Sequence, residues 1–467
     1  MKILFASAEA LPYFKTGGLA DVARALPNAL VARGHDVRVL IPGYRFIVGS
    51  DCASNQTELT VPWPTAKLRV SIELHDEQPG TAATAFVRTP GFFDTDQPYD
   101  PVPGDPLGLA RRFALFCRAI IAYANHWGAD VIHLNEWQTG FVPAYAQVDA
   151  LAAATVFVIH NLAYQGNFPP PALSEIGIPA LLYRTENGVE FHGQASFIKG
   201  GISLADRLVT VSATYAREIQ TPGYGNGLDG LLTFRRRLLH GVVNGIDTTT
   251  WDPATDPLLP VGYDASGIDG KQASRAALLA RTGVDGNGPI LGVVSRLAYQ
   301  KGVDLLLGAM TELLHAGCRV VVLGHGEPAF EHAIAAFAHS APTRVAFQVG
   351  FDEPLAHLIY AGADFFVMPS LYEPCGLGQM IAQRYGTPPI ARRTGGLNDT
   401  ITDEVTGFLF TEPSARALVE AVRRALGRWQ QPGWRALQLQ CMAEDHSWIR
   451  PAAEYERIYK LALGVCG

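Results

Sequence analysis

The sequence predicts an α/β protein built from two doubly wound parallel-sheet domains facing a cleft. Three observations carry this prediction. Short apolar runs alternate with helical spacings of apolar residues along most of the 467 residues. The alternation breaks once, around residues 244–270, and then restarts. Loops bearing glycine, cations or carboxylates follow several apolar runs, on the sheet edge where such folds bind ligands.

Ile3–Ala6 reads as the first strand. Lys15-Thr16-Gly17-Gly18-Leu19-Ala20-Asp21 then opens a helix carrying Leu19, Val22, Leu26 and Leu30 at helical spacing. Gly34 suits the residue after that helix, and Asp36–Ile41 is the next strand, ending at Pro42-Gly43. Leu68–Leu74 and Ala82–Val87 read as strands, and 93–107 as a loop rich in Pro, Asp and Gly. Arg111–His126 is helical, and Asp130–Leu134, Ala154–Ile159 and Arg207–Val211 are strands. Between the last two, Asn161–Gly201 reads as one long irregular stretch, a length more common in functional loops than in idle ones. Val242–Asp247 leads through Trp251-Asp252-Pro253 into a polar, Gly-rich segment reaching Gly270. This divides the chain into 1–243 and 244–447, with 244–270 as linker. The second series has strands at 290–294, 319–323, 345–349, 364–368 and 389–391, with helices at 303–315, 353–361 and from Pro328 and Gln379. Residues 448–467 hold a final helix, with Ile449, Ala453, Ile458 and Leu461 in phase, expected to cross back to the first domain.

Composition excludes several classes. A hydrophobic fraction of 48% with 17% charged residues supports sizeable cores rather than long disorder. Lys and Arg number 37 against 44 Asp and Glu, a net charge of −7, which gives no support for general affinity for nucleic acid or membranes. Any anion site must therefore be a local cationic pocket. Cys52, Cys117, Cys318, Cys375, Cys441 and Cys466 are scattered without a CxxC pair, which favours a reducing compartment over a zinc site. No apolar run is long enough for a signal peptide or a membrane span, so the expectation is a soluble, cytoplasmic protein with no bound metal.

The motifs narrow the chemistry. Adjacent glycines at 17 and 18 let a ligand approach the backbone, and helix-start N–H groups with Lys15 favour an anion. Ser295-Arg296-Leu297-Ala298-Tyr299-Gln300-Lys301-Gly302 sets two cations after a buried strand, as a diphosphate site requires. Pro369–Gly378 contains Glu373, able to bond sugar hydroxyls, and a turn at Cys375-Gly376-Leu377. Arg393-Thr394-Gly395-Gly396-Leu397 repeats the device after another strand. His160-Asn161, and His133 with Glu136, stand at strand ends in the first domain. Any one of these fits an ordinary turn; three on one edge of one domain do not.

Read in order, KTGGLADV, HNLAYQGNFP, FIKGGI, TVSATYAREI, GLDGLL, VVNGIDTTTWDPATDP, SRLAYQKG, PSLYEPCGLGQ and RRTGGLNDT resemble the bacterial glycogen synthases and plant starch synthases, from Lys2 to Trp448. The resemblance implies a GT-B fold and transfer of glucose from ADP-glucose to the non-reducing end of an α-1,4-glucan, with anomeric retention and no cofactor beyond the donor. It implies that Lys15 and Gly18 lie near the donor diphosphate and sugar, with Asp21 a polar donor-side residue. His160, beside Asn161, would contact the 6-hydroxyl of the donor glucose. Asn244 would hold the sugar from the hinge side. Arg296 and Lys301 would neutralise the leaving diphosphate, Glu373 would bind glucose hydroxyls, and the Cys375-Gly376-Leu377 amides would support sugar and phosphate, with Thr394, Gly395 and Gly396 as further contacts. Phe351 stands where the family usually has a tyrosine stacked on adenine; stacking survives that change.

The chain departs from the family pattern in places. Asn135-Glu136-Trp137-Gln138 replaces the usual His-Asp-Trp-His, putting the acceptor-side role of Glu136 in question, and Gly378 and Ile381 replace a Thr and a Tyr. Retention is open to a carboxylate nucleophile or to front-face attack, which the resemblance favours. Other readings are a related transferase with another acceptor or UDP-glucose as donor, an inactive glucan-binding protein, and a dinucleotide oxidoreductase. The last lacks its Gly-x-Gly-x-x-Gly turn, and the inactive form would have lost Arg296, Lys301 or Glu373.

Overall fold

The computed structural model describes residues 1–47, 55–75, 79–102 and 104–465; Cys52 and Cys466 lie outside them. The chain divides into two compact units, Met1–Gly245 with Trp448–Gly467, and Ile246–Ser447. Among the described residues no helix is long and apolar enough to cross a membrane.

The first unit has strands β1 (Lys2–Ala6), β2 (Asp36–Pro42), β3 (Asn55–Pro62), β4 (Lys67–His75), β5 (Ala83–Arg88), β6 (Val131–Asn135), β7 (Ala154–Ile159), β8 (Asn167–Phe168), β9 (Glu190–Phe191), β10 (Gln194–Ser196), β11 (Arg207–Thr210) and β12 (Leu239–Gly241). Nine form one sheet in the order β12-β11-β7-β6-β1-β2-β5-β4-β3. From β12 to β5 every pairing is parallel. Ile3, Leu4, Phe5 and Ala6 are all fully buried, which is why β1 is a continuous apolar run rather than an alternating one.

The all-parallel expectation needs one correction. The β3–β4 hairpin extends the sheet antiparallel, pairing Asn55 with Leu74 through Pro62 with Lys67. Gln56-Thr57-Glu58-Leu59-Thr60 carries too few apolar residues to announce a strand, because it forms a half-solvated sheet edge. The stretch 161–201 is also more ordered than its composition suggests. It contains the small antiparallel sheet β8-β10-β9, and a helix begins at Phe197, capped by Ser196. Lys199 fastens this excursion by donating to the carbonyls of Thr185 and Glu190.

The C-terminal helix Ile449–Ala462 belongs to the first unit. Its Tyr455 and Tyr459 are fully buried, and Tyr459 Oη lies 2.7 Å from Nδ1 of His133 on β6. Arg33, directly after the helix Gly18–Ala32, pairs with Glu456 of the C-terminal helix at 2.7 Å.

The second unit has strands β13 (Ile290–Val294), β14 (Arg319–Gly324), β15 (Val345–Val349), β16 (Phe365–Met368), β17 (Pro389–Arg392) and β18 (Phe408–Phe410). They form a wholly parallel sheet in the order β15-β14-β13-β16-β17-β18. The chain runs outward one way from β13 and then the other way from β16, so the switch point lies between those two strands. Residues 246–270 contain only one short helical turn, yet they are anchored. Asp256 Oδ2 accepts from His357 Nδ1 at 2.7 Å and from the Tyr385 hydroxyl at 2.6 Å, while Trp251 stacks on His357 at 4.2 Å.

Lys271 opens the helix Lys271–Thr282, and its buried ammonium donates to Ala361 O at 2.7 Å, Tyr385 O at 3.2 Å and Thr387 Oγ1. Burial pulls its pKa down to about 7, yet three acceptors match the three N–H bonds of the charged form. Lys271→Met removes the ammonium from all three acceptors, of which Tyr385 O keeps the Tyr263 hydroxyl at 2.8 Å, and should cost about 2–4 kcal/mol, read as a lower urea midpoint; an unchanged midpoint would show that the contacts contribute nothing net.

Candidate active site

In the second unit, loops from three adjacent strands are packed into one group. Gly302, after β13, has φ +65°, and a Cβ there would stand 2.0 Å from the carbonyl oxygen of Pro369, after β16. Gly395, after β17, has φ +42°, and a Cβ there would stand 1.9 Å from the carbonyl oxygen of Glu373. Glycine is required at both places by the approach and by the positive φ. Gly396 N–H donates to Glu373 O at 3.0 Å, and Leu371 N–H donates to Gln300 O at 2.8 Å.

This packing brings Lys301 to Glu373. The ammonium lies 2.9 and 2.7 Å from the two carboxylate oxygens, and the Ser370 hydroxyl donates to Oε2 at 3.0 Å. The Glu373 side chain is 6% exposed, so the ion pair is desolvated on its acidic side. Arg296 is exposed and donates to Gln300 Oε1 at 3.3 Å. Gln300 in turn donates to Tyr372 O at 3.3 Å, tying the Arg296 loop to the Glu373 loop. Cys375 is buried, Gly376 has φ +75°, and Leu377 precedes the helix Gly378–Arg384. Thr394, in extended conformation, directly precedes the short helix Gly395–Thr400. The Gly396 amide, expected to face a ligand, is engaged by Glu373 O, so the Thr394-Gly395-Gly396 turn serves as a clasp for that loop. Phe351 follows the more distant β15 and is 83% exposed, with the ring presented to solvent.

In the first unit, the site residues follow β1, β6, β7 and β12, whose carboxyl ends share one edge of the sheet. The strand order reverses between β1 and β6, the place where a ligand crevice is expected. Lys15 pairs with Asp21 at 2.9 Å, so the cation before the first helix is partly neutralised by its own chain. Thr16 N–H, one of the groups expected to be free for an anion, donates instead to Glu9 Oε2 at 2.5 Å, and the Thr16 hydroxyl lies 3.1 Å from both Glu9 oxygens. At Gly17, just before Gly18, a Cβ would have no atom of another described residue within 4 Å, its chain neighbours aside, so open space adjoins the turn.

Glu9 was not singled out by its motif, although a lone acid in Ser7-Ala8-Glu9-Ala10 after a buried strand is the available signal. It is 5% exposed, and burial raises its pKa against the lowering effect of the Thr16 bonds.

Glu136, directly after β6, has φ 62° and ψ 176°, a region essentially reserved for glycine. Its Oε1 accepts from the backbone N–H of His160 at 2.5 Å and of Asn161 at 2.7 Å, and its buried Oε2 has no hydrogen-bond partner among the described residues. Burial pushes its pKa up to about 8, against the lowering effect of the backbone N–H groups of Asn161, His160 and Trp137, with repulsion from Glu9 adding to the rise. The strained conformation persists because those bonds hold the carboxylate at the end of β7. His160 Nε2 lies 2.8 Å from Asn135 Oδ1, and burial lowers the His160 pKa to about 3. Asn244, after β12, is 5% exposed and its Oδ1 has no hydrogen-bond partner among the described residues.

The raised pKa of Glu136 has a definite sign. Between pH 4.5 and about 8 the folded chain holds a proton that the unfolded chain has released, so stability falls as pH rises through that window. Glu136→Gln keeps an acceptor oxygen and stays neutral. Its thermal midpoint relative to the wild type should rise with pH across the window, by up to roughly 1.4 kcal/mol per pH unit in stability. A difference that is flat with pH would refute the protonated carboxyl.

The comparisons with known proteins agree over the whole chain. The sequence profile described as starch synthase catalytic domain matches residues 2–234, and that of glycosyl transferases group 1 matches 274–432. A glycogen synthase of Anaeromyxobacter dehalogenans is 46% identical over 98% of this chain and 99% of its own. Glycogen synthase 1 of Methylococcus capsulatus is 43% identical over 99% and 97%. The catalytic domain of starch synthase IV from Arabidopsis thaliana, solved with ADP and acarbose, superposes with a TM-score of 0.89 at 32% identity, covering 99% of both chains. The expected GT-B fold, with two Rossmann-like units, is borne out. The chain belongs to the family of bacterial glycogen synthases and plant starch synthases, and it is a glycosyltransferase.

Proposed function

We propose that the protein is a glycogen synthase that moves glucose from ADP-glucose to the non-reducing end of an α-1,4-glucan, retaining the anomeric configuration. The observation that carries this reading is Lys301 held on Glu373 at the β13/β16 switch point, with Arg296 on the same loop as Lys301. The relatives' names support the glucan product, and the ADP and acarbose bound to the starch synthase support a nucleotide donor and a glucan-like acceptor.

The chemistry follows from charge. Breaking the sugar–phosphate bond builds negative charge on the leaving diphosphate and positive charge on the sugar. Arg296 and Lys301 stabilise the first, and cations already fixed in place are most effective because they need not reorganise. Glu373 orients the Lys301 ammonium and offers its oxygens to glucose hydroxyls. The amides of Cys375, Gly376 and Leu377 support sugar and phosphate, with Thr394, Gly395 and Gly396 holding that loop in place. Exposed Phe351 stacks on the base. In the first unit, Lys15, Gly18 and Asp21 serve the donor beside the open space at Gly17, His160 and Asn161 serve its glucose, and Asn244 offers an unpartnered carbonyl to it. Glu136 belongs to the acceptor side. Retention proceeds by front-face attack, with the departing phosphate taking the acceptor proton. The reaction draws on no cofactor. A cytoplasmic setting completes the reading, supported by the four described cysteines, which are buried and form no disulfide among the described residues.

The test is transfer of radiolabelled glucose to glycogen from ADP-glucose and, in parallel, UDP-glucose. Incorporation from ADP-glucose well above UDP-glucose is expected; incorporation from neither would refute the reading. Arg296→Ala should lower kcat by about 10²–10³-fold without moving the thermal midpoint, since the side chain is exposed. Lys301→Ala should lower both, because it strands the buried Glu373 carboxylate. Near-normal transfer by both variants would remove the phosphate assignment.

A further inference from the structure

We propose that Asn135 is a positioning residue that fixes the His160 ring as its neutral Nε2–H tautomer, leaving Nδ1 to accept a hydrogen bond from a sugar hydroxyl. The inference rests on the reading that His160 contacts the donor glucose, and adds how that contact is set.

The argument begins with the amide. Asn135 Nδ2 donates to the backbone oxygen of Ala6 at 2.9 Å. The flipped amide would set two oxygens against each other at that distance, so Oδ1 must face the opposite way. There it meets two imidazoles, His160 Nε2 at 2.8 Å and His133 Nε2 at 3.2 Å. An amide oxygen only accepts, and it has two lone pairs. Both rings must therefore present Nε2–H to it.

The His133 end closes the assignment. His133 is fully buried, stacked on Phe5 at 4.2 Å, with Tyr455 and Tyr459 packed near it. Burial holds its pKa at about 3, so the ring is neutral. With the proton on Nε2, Nδ1 accepts from the Tyr459 hydroxyl at 2.7 Å. The C-terminal helix thus anchors one ring, β6 supplies the amide, and β7 delivers the other ring.

At His160 the main chain and the ring are held separately. Glu136 takes the backbone N–H, and Asn135 takes Nε2–H. An acid at position 135 would favour an imidazolium, which only donates. The asparagine keeps the ring neutral and its second nitrogen basic. A ligand group meeting Nδ1 must then be a donor, as a hydroxyl is and an ether or phosphate oxygen is not.

The experiment is nitrogen NMR of the full chain carrying isotope-labelled histidine, with His160 assigned by difference from His160→Gln. The wild type should show His160 as neutral Nε2–H from about pH 6 to about pH 8. Asn135→Ala should give a mixture of tautomers and lower kcat for glucose transfer about ten- to a hundredfold, the usual effect of losing an orienting partner. Tyr459→Phe should disturb His133 and leave the His160 tautomer in place. A wild-type His160 that is protonated or Nδ1–H overturns the assignment without any variant needing to fold. So does an unchanged His160 spectrum in Asn135→Ala. Near-normal transfer by His160→Ala would instead overturn the sugar contact, which separates that failure from a failure of the tautomer lock.

Discussion

The second unit depends on two carbonyl oxygens that leave no room for a side chain. Pro369 O and Glu373 O stand where a Cβ would be at Gly302 and Gly395. These contacts join the loops after β13, β16 and β17. Only with the loops so joined does Lys301 reach both oxygens of Glu373. The ion pair is a consequence of backbone packing, and it is not free to drift as an exposed pair would. The parallel sheet makes this possible by delivering three strand ends to one edge, and the reversal of strand order between β13 and β16 opens the place for a ligand.

The first unit solves a different problem, that of keeping acidic side chains where water is scarce. Glu9 and Glu136 are both 5% exposed. Each is held by backbone N–H groups: Thr16 for Glu9, His160 and Asn161 for Glu136. These bonds shape the turn after β1 and the end of β7 as much as they satisfy the acids. Glu136 adopts a glycine-like backbone conformation for this purpose, a cost of about 1–3 kcal/mol that the surrounding bonds must offset. Buried acids and backbone strain at a switch point are arrangements that chemistry needs and stability does not.

Much of this was legible in the sequence, for identifiable reasons. Central strands such as Ala154–Ile159 and Ile290–Val294 are buried on both faces and so appear as unbroken apolar runs. Strand β3 was not legible, because a solvated antiparallel edge tolerates Gln, Thr and Glu. The ordered excursion between 161 and 201 was hidden because its strands are only two or three residues long and it is fastened by Lys199 on the carbonyls of Thr185 and Glu190, which no local pattern announces. Among site residues, motif spacing pointed to Lys301 and Glu373 but could not show that they bind each other. Glu9 carried no motif. Asn135 was visible only as a departure from the family pattern; its meaning needed the positions of Ala6, His133 and His160, which are far apart in the chain.

The most direct test of the central claim is a crystal structure of the full chain with ADP. The account predicts the diphosphate against the β13 and β16 loops, within hydrogen-bond distance of both Arg296 and Lys301, with the base on the Phe351 ring. A diphosphate bound elsewhere, with Lys301 and Arg296 making no contact to it, would contradict the account.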